Sequence, residues 1–274
     1  MPFAISISIL GLVQAALVAL PSSPLPELPR PLRLTSRWWA LVPAGSIVAV
    51  IAVIELDSGS ATALSYLALA GVPPLAGLAL GALVRRARPT WALAAAPLFA
   101  LAWASPGSLA GEAAATALSG LACVSLGWLL VSVVPAFWLR LGIYAMAAID
   151  TYAVASDLLQ GPNAVLSTAH PAAGLPRLQA VHLGFAAMGF GDLFVAALVG
   201  CLLAASTTAR RQLGAAALVA ALALGFDLLF FAVDELPATV PVAVALALTQ
   251  RHAGGRGTKA EIAVETAPGP SPGI

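Results

Sequence analysis

Long apolar stretches, broken only by short polar or proline-rich connections, run through almost the whole chain. A stretch of ~20 apolar residues matches the hydrocarbon thickness of a bilayer. At that depth every backbone N–H and C=O must be satisfied internally, which a single segment achieves only as an α-helix. Nine stretches qualify, at residues 3–20, 38–55, 61–84, 90–105, 112–135, 138–157, 181–205, 212–233 and 237–250. The expected fold is therefore all-α, a polytopic membrane bundle of about nine helices. Composition agrees: the chain has 274 residues, of which 60% are hydrophobic and 9% charged, against roughly 25% charged in a soluble domain. A net charge of +1 leaves no basic surface large enough to track phosphates, which speaks against a nucleic-acid partner.

The charges between the stretches alternate in sign. Arg30, Arg33 and Arg37 follow the first stretch, Glu55 and Asp57 the second, and Arg85, Arg86 and Arg88 the third. Glu112 stands in the fourth connection, Arg140 in the fifth, and Asp157 with Arg177 in the sixth. Arg210 and Arg211 occupy the seventh, and Asp234 and Glu235 the eighth. The positive-inside rule then places the odd connections and the tail in the cytoplasm, with the N-terminus outside. No basic n-region precedes the first stretch, so it reads as a retained helix rather than a signal peptide. Pro73 and Pro74 are expected to kink the third stretch. Residues 251–274 have no apolar period and read as a disordered cytoplasmic tail. Cys123 and Cys201 lie within apolar runs and read as small core residues.

Two acids interrupt this pattern. Asp150 lies in the sixth stretch and Asp192 in the seventh. An ionisable group at the bilayer centre costs roughly 2.5–3.5 kcal/mol on insertion scales. Counted along helices, Asp150 lies ~10 Å and Asp192 ~15 Å from the outer face. Consecutive spans are antiparallel, so the two carboxyls reach a similar level. Two facing carboxyls share one proton. That pair can activate water for peptide hydrolysis: the carboxylate takes a proton from water while the neutral acid hydrogen-bonds the carbonyl oxygen. The chemistry asks for no metal or cofactor, and no His/Cys/acid spacing suggests a zinc site. Gly189 and Gly191 flank Phe190 just before Asp192. They loosen the helix and admit a second backbone close to the acid. Pro237 and Pro241, at the start of the ninth stretch, free backbone groups that can pair with an extended substrate.

Four motifs in order carry a resemblance. They are Ile149–Asp150–Thr151–Tyr152, Gln160–Gly161–Pro162, Gly189–Phe190–Gly191–Asp192 and Leu236–Pro237–Ala238–Thr239. Residues 138–250 thereby resemble the presenilin and signal-peptide-peptidase family of intramembrane aspartyl proteases of the Gly-x-Gly-Asp type, in a compact form like the bacterial and archaeal members. The resemblance implies nine spans, with residues 1–137 (spans one to five) as scaffold and 138–250 (spans six to nine) as the catalytic bundle. It implies that Asp150 and Asp192 are catalytic, supported by Gly189, Phe190 and Gly191. Pro237, Ala238 and Thr239 would help to hold substrate. The implied substrates are transmembrane helices of other proteins or remnant signal peptides, cut in the plasma membrane of a prokaryote without accessory subunits. The sequence departs from the family in two places. Ile149 stands where the family has Tyr, and Pro-Ala-Thr stands where it has Pro-Ala-Leu.

Two other readings use the same acids. Intramembrane carboxylates also mark proton-coupled transporters, although the two halves of this chain show no internal repeat of the kind such folds carry. Prepilin peptidases also use Gly-x-Gly-Asp, but with a basic residue soon after it; here Leu193 and Phe194 follow. Asp227, in the eighth stretch, lies at nearly the same depth as the pair. From the residues alone it is a bundle hydrogen bond, a modulator, or itself the partner of Asp192.

Overall fold

The structure is a computed structural model that describes residues 3–22, 59–156, 171–172, 174–231 and 236–250. Among these residues the chain is mainly helical. α1 spans Phe3–Ala19 and α2 spans Gly59–Leu78, which runs on into a π-helical turn at Ala79–Leu83. A 3-10 turn at Pro89–Ala94 leads into α3, Ala95–Ala104. α4 is the longest helix, Leu109–Val133, and α5 covers Ala136–Ala155. A hairpin follows, β1 at Ala180–Leu183 and β2 at Ala186–Gly189. It runs directly into α6, Phe190–Ser206. α7 spans Ala209–Asp227 with a 3-10 turn at Leu228–Phe231, and α8 spans Val240–Gln250.

The hairpin corrects the expectation of one continuous helix over 181–205. Leu183 and Ala186 are paired, so the loop between them is the two residues Gly184 and Phe185. Gly184 has φ +60°. Positive φ at the first loop position fits the type II′ turn that the twist of antiparallel strands prefers, and glycine takes it without steric penalty. Val181, Leu183, Ala186 and Met188 point into the core, whereas His182 and Ala187 lie on the opposite face. A segment with apolar residues at nearly every position satisfies strand and helix alike by periodicity. Here the glycine turn decides.

α6 lies at the centre. Leu193 and every residue from Val195 to Leu203 are buried. It packs along α4 on one side and α1 on another, while α2 and α3 cover the far side of α4 and α7 lies against α1. Small residues permit this. A Cβ on Gly127 of α4 would lie 3.3 Å from the α6 backbone at Leu198. A Cβ on Gly200 would lie 2.5 Å from the Leu17 carbonyl oxygen of α1.

The end of α1 is finished by side chains from elsewhere. A helix leaves its last four carbonyls without intrahelical donors. Arg85 Nε donates to Ala19 O (2.8 Å) and the Arg85 amide to Leu20 O (2.9 Å). The buried Gln212 amide donates to Val18 O (2.8 Å) and Pro21 O (3.0 Å), and Arg85 donates to the Gln212 carbonyl oxygen. A cation at a helix C-terminus also suits the helix dipole. Arg85 is therefore more than a topology anchor. In α2 the helical run passes through Pro73–Pro74, and the irregularity comes at the following π turn, where Ser125 Oγ of α4 donates to Leu75 O (2.7 Å).

Among the described residues two helical segments, Thr62–Leu83 and Leu109–Val133, are long and apolar enough to cross a membrane, which does not bear out the expected nine spans. Phe3–Ala19, Pro89–Ala104, Phe190–Ser206 and Val240–Gln250 are apolar but shorter. The all-α expectation thus stands with a small hairpin added. The stretch at 38–55, the tail, Asp157, Asp234 and Glu235 lie outside the described residues.

The packing makes a stability test. Gly200→Ala forces a methyl group onto backbone that cannot yield, and is expected to destabilise the solubilised protein by about 1–3 kcal/mol. Gly214→Ala, where the added Cβ meets nothing within 4 Å, is expected to be neutral or stabilising by up to ~1 kcal/mol. Thermal unfolding of the two variants side by side checks the contrast.

Candidate functional site

Three segments meet at the site, and each arrives for a local reason. Asp150 is carried near the C-terminal end of α5. Asp192 is the third residue of α6, in its first turn. Its position corrects the expected depth, because residues 180–189 are strand and turn rather than helical rise. Asp192 Oδ2 accepts the Gly189 N–H (3.1 Å). This is the reaching-back half of a capping box, and glycine has no side chain to return it. Asp192 therefore has a capping role as well as any chemical one. A Cβ on Gly189 would approach Asp192 Oδ2 to 3.2 Å, whereas one on Gly191 would meet nothing within 4 Å. The first glycine leaves room for the carboxyl that caps it, and the second is free of neighbours at its own side-chain position.

Thr239 supplies the third segment. Its carbonyl accepts the Ala243 N–H (3.0 Å), the first bond of α8, so Thr239 is that helix's N-cap. An N-cap hydroxyl usually accepts from its own helix. Here Thr239 Oγ1 donates outward to Asp150 Oδ2 (2.6 Å), and the Thr239 N–H points at the same oxygen (3.3 Å). Thr239 is 3% exposed, so this bond is sheltered from water. Gln14 of α1 holds the turn before it by donating to Ala238 O (3.1 Å). Pro237 precedes that turn and accepts the Val240 N–H at its carbonyl (3.2 Å).

Asp150 and Asp192 lie within each other's electrostatic reach. The structure brings together Asp150, Asp192, Gly189 and Thr239 by direct contact or field, with Phe190, Gly191, Ala238 and Pro237 adjoining in the chain. Asp227 is placed elsewhere: its Oδ2 accepts the Ser8 hydroxyl of α1 (2.9 Å). Of the three roles open to Asp227, the bundle hydrogen bond is the one observed. Among the described residues no group of three or more His, Cys, Asp or Glu is arranged to hold a metal. An apolar groove of about 280 Å³ runs between α5 and α8, lined by Tyr144, Ala147, Thr151, Val240, Ala243 and their neighbours. It opens beside Thr151, the residue after Asp150.

α4 fixes the approach to Asp192. Glu112 Oε2 accepts the N–H of Gly184 at the hairpin turn (2.7 Å), and Ser119 Oγ donates to Leu178 O (3.1 Å) just before β1. Cys123 Sγ approaches Phe190 O (3.9 Å) at the start of α6. Residues 112, 119 and 123 recur at helical spacing and share one face. Glu112 also occupies the first turn of α4, where the helix dipole favours a carboxylate, below a Ser108 N-cap that accepts the Gly111 N–H (3.1 Å). Sequence reasoning had treated Glu112 only as a loop charge. The signal available was the capping pattern that puts it inside the helix.

Glu112→Ala leaves the Gly184 amide without its charged acceptor. Amide hydrogen exchange at Gly184 is expected to quicken by about tenfold or more, consistent with a bond to a charged group. Glu112→Gln, which keeps a carbonyl acceptor, is expected to fall between. Equal exchange in all three proteins would show that the contact holds nothing.

No family model matches the chain, and neither a curated protein nor a solved structure matches it.

Proposed function

We propose that the protein is an intramembrane aspartyl protease, hydrolysing peptide bonds within transmembrane helices of other proteins or within remnant signal peptides. The observation that carries this reading is that Asp150 and Asp192, from different helices, lie within electrostatic reach of each other, with Asp150 hydrogen-bonded to the Thr239 turn. The ordered motifs add to it. In the proposed reaction one carboxylate removes a proton from a water molecule, whose oxygen attacks the substrate carbonyl carbon. The neutral partner acid gives its proton to the carbonyl oxygen. The gem-diol intermediate then collapses: the C–N bond breaks, the leaving nitrogen takes a proton from one acid, and one gem-diol hydroxyl returns its proton to the other as the carbonyl reforms. Neither metal nor cofactor enters this scheme.

A helix must unwind to be cut, and the surroundings suit an extended chain. β2 runs straight into the Asp192 turn and belongs to a two-stranded sheet, so among the described residues one of its edges has no partner strand. Such an edge accepts a further strand through backbone hydrogen bonds. Gly191, the residue before the acid, leaves its own side-chain position open. The proposal includes the wider setting: about nine spans in a prokaryotic plasma membrane, N-terminus outside and tail inside, acting without partner subunits.

The test is cleavage of a helical substrate in liposomes, together with covalent labelling by a transition-state-like aspartyl-protease inhibitor. Asp150→Asn and Asp192→Asn are each expected to abolish both cleavage and labelling while the fold survives. Asp227→Asn is expected to keep measurable activity, since Asp227 bonds Ser8 away from the pair and asparagine keeps an oxygen to accept that bond. Proton-coupled uptake that persists in the Asp150→Asn protein, with no proteolysis in any form, would replace the protease reading with transport.

A further inference from the structure

Thr239 stands where the resembled family carries leucine, and leucine cannot donate from its side chain. Here that side chain makes the shortest hydrogen bond to either acid: Oγ1 lies 2.6 Å from Asp150 Oδ2, and the Thr239 N–H points at the same oxygen from 3.3 Å. A backbone N–H can only donate, so Oδ2 serves as its acceptor, an arrangement that suits the charged carboxylate best. Asp192 Oδ2 receives one donor, the Gly189 N–H at 3.1 Å. The remaining oxygen of each carboxyl has no hydrogen-bond partner among the described residues. Donors stabilise the charged form of a carboxyl, and those on Asp150 are more numerous and closer. Asp192, on α6, is the ionisable group that faces Asp150 among the described residues.

Resting on the protease reading, we infer that Thr239 is a positioning residue that breaks the symmetry of the acid pair. Its hydroxyl and amide hold Asp150 as the carboxylate that takes the proton from water. The shared proton is thereby left on Asp192, the acid that protonates the substrate carbonyl. Gln14 and the N-cap geometry of α8 keep the Thr239 turn in place for this task.

Thr239→Val keeps the shape and removes the hydroxyl; Thr239→Ser keeps the hydroxyl and removes the methyl. In the valine variant kcat is expected to fall about tenfold with KM little changed. The acidic limb of the pH–rate profile is expected to move up by about one unit, since the base loses a donor to its charged form. Serine is expected to restore both. Infrared titration of the Asp150 carboxyl in an Asp192→Asn background reads the same ionisation without substrate, and valine at 239 is expected to raise its midpoint there too. If valine shifts neither profile, or serine fails as badly as valine, the assignment is wrong and the side chain serves only shape. If the infrared shift occurs but the Asp150→Asn and parent proteins are equally inert towards substrate, the Thr239–Asp150 contact holds and the protease reading is what fails.

Discussion

At several points among the described residues where a helix stops or the chain turns, a side chain from a distant segment meets a backbone carbonyl. Gln212 and Arg85 finish α1, Ser125 reaches Leu75 O near the π turn, Ser119 holds Leu178 O, and Gln14 holds Ala238 O. In a chain this apolar, an unmet N–H or C=O has little water to turn to, and each one left buried costs about 1–3 kcal/mol. Polar side chains are scarce here; those just named serve irregular points, while others such as Thr116 and Thr151 bond carbonyls of their own helices. The architecture depends on that matching more than on any salt bridge.

The same rule builds the site. Neither acid is held by its own helix alone: Asp150 leans on the N-cap of α8, and Asp192 on the amide that ends β2. α4 secures the hairpin, and α1 secures the turn before α8 through Gln14. The first five expected spans therefore include the elements that set the distance between the acids. A scaffold of this kind acts on chemistry through placement, because a carboxyl displaced by even a fraction of an ångström loses the alignment that proton transfer needs.

Much of this was legible beforehand, and the losses have physical causes. Among the described residues most of the apolar stretches became helices near their expected ends, but 181–205 became a hairpin followed by a helix from Phe190, and 38–55 lies outside those residues. Asp150, Asp192 and the Pro-Ala-Thr turn were singled out because each breaks a local pattern. The hairpin was missed, although Gly184 between two short apolar runs is a recognised turn signal. An apolar strand that faces a core does not alternate clearly enough to be told from a helix. Thr239 was read as a weakened family motif, because its bond is to a side chain on another helix and spacing along the chain says nothing of it. Asp227 could not be assigned for the same reason: Ser8 lies at the opposite end of the sequence.

One dimension of α6 has a consequence for how a reagent as polar as water reaches the acids. At 17 residues α6 is about 25 Å long, while the 25 residues of α4 rise about 38 Å. Set in a bilayer with ~30 Å of hydrocarbon, α6 stops short of the far boundary. In the proposed membrane setting the β-hairpin would continue from that end, and any strand edge without a partner there must be hydrated or covered by protein. A funnel of solvent dipping along that ribbon, with the exposed Phe185 at its lip, would lead the nucleophile down to Asp192 without opening the helical wall.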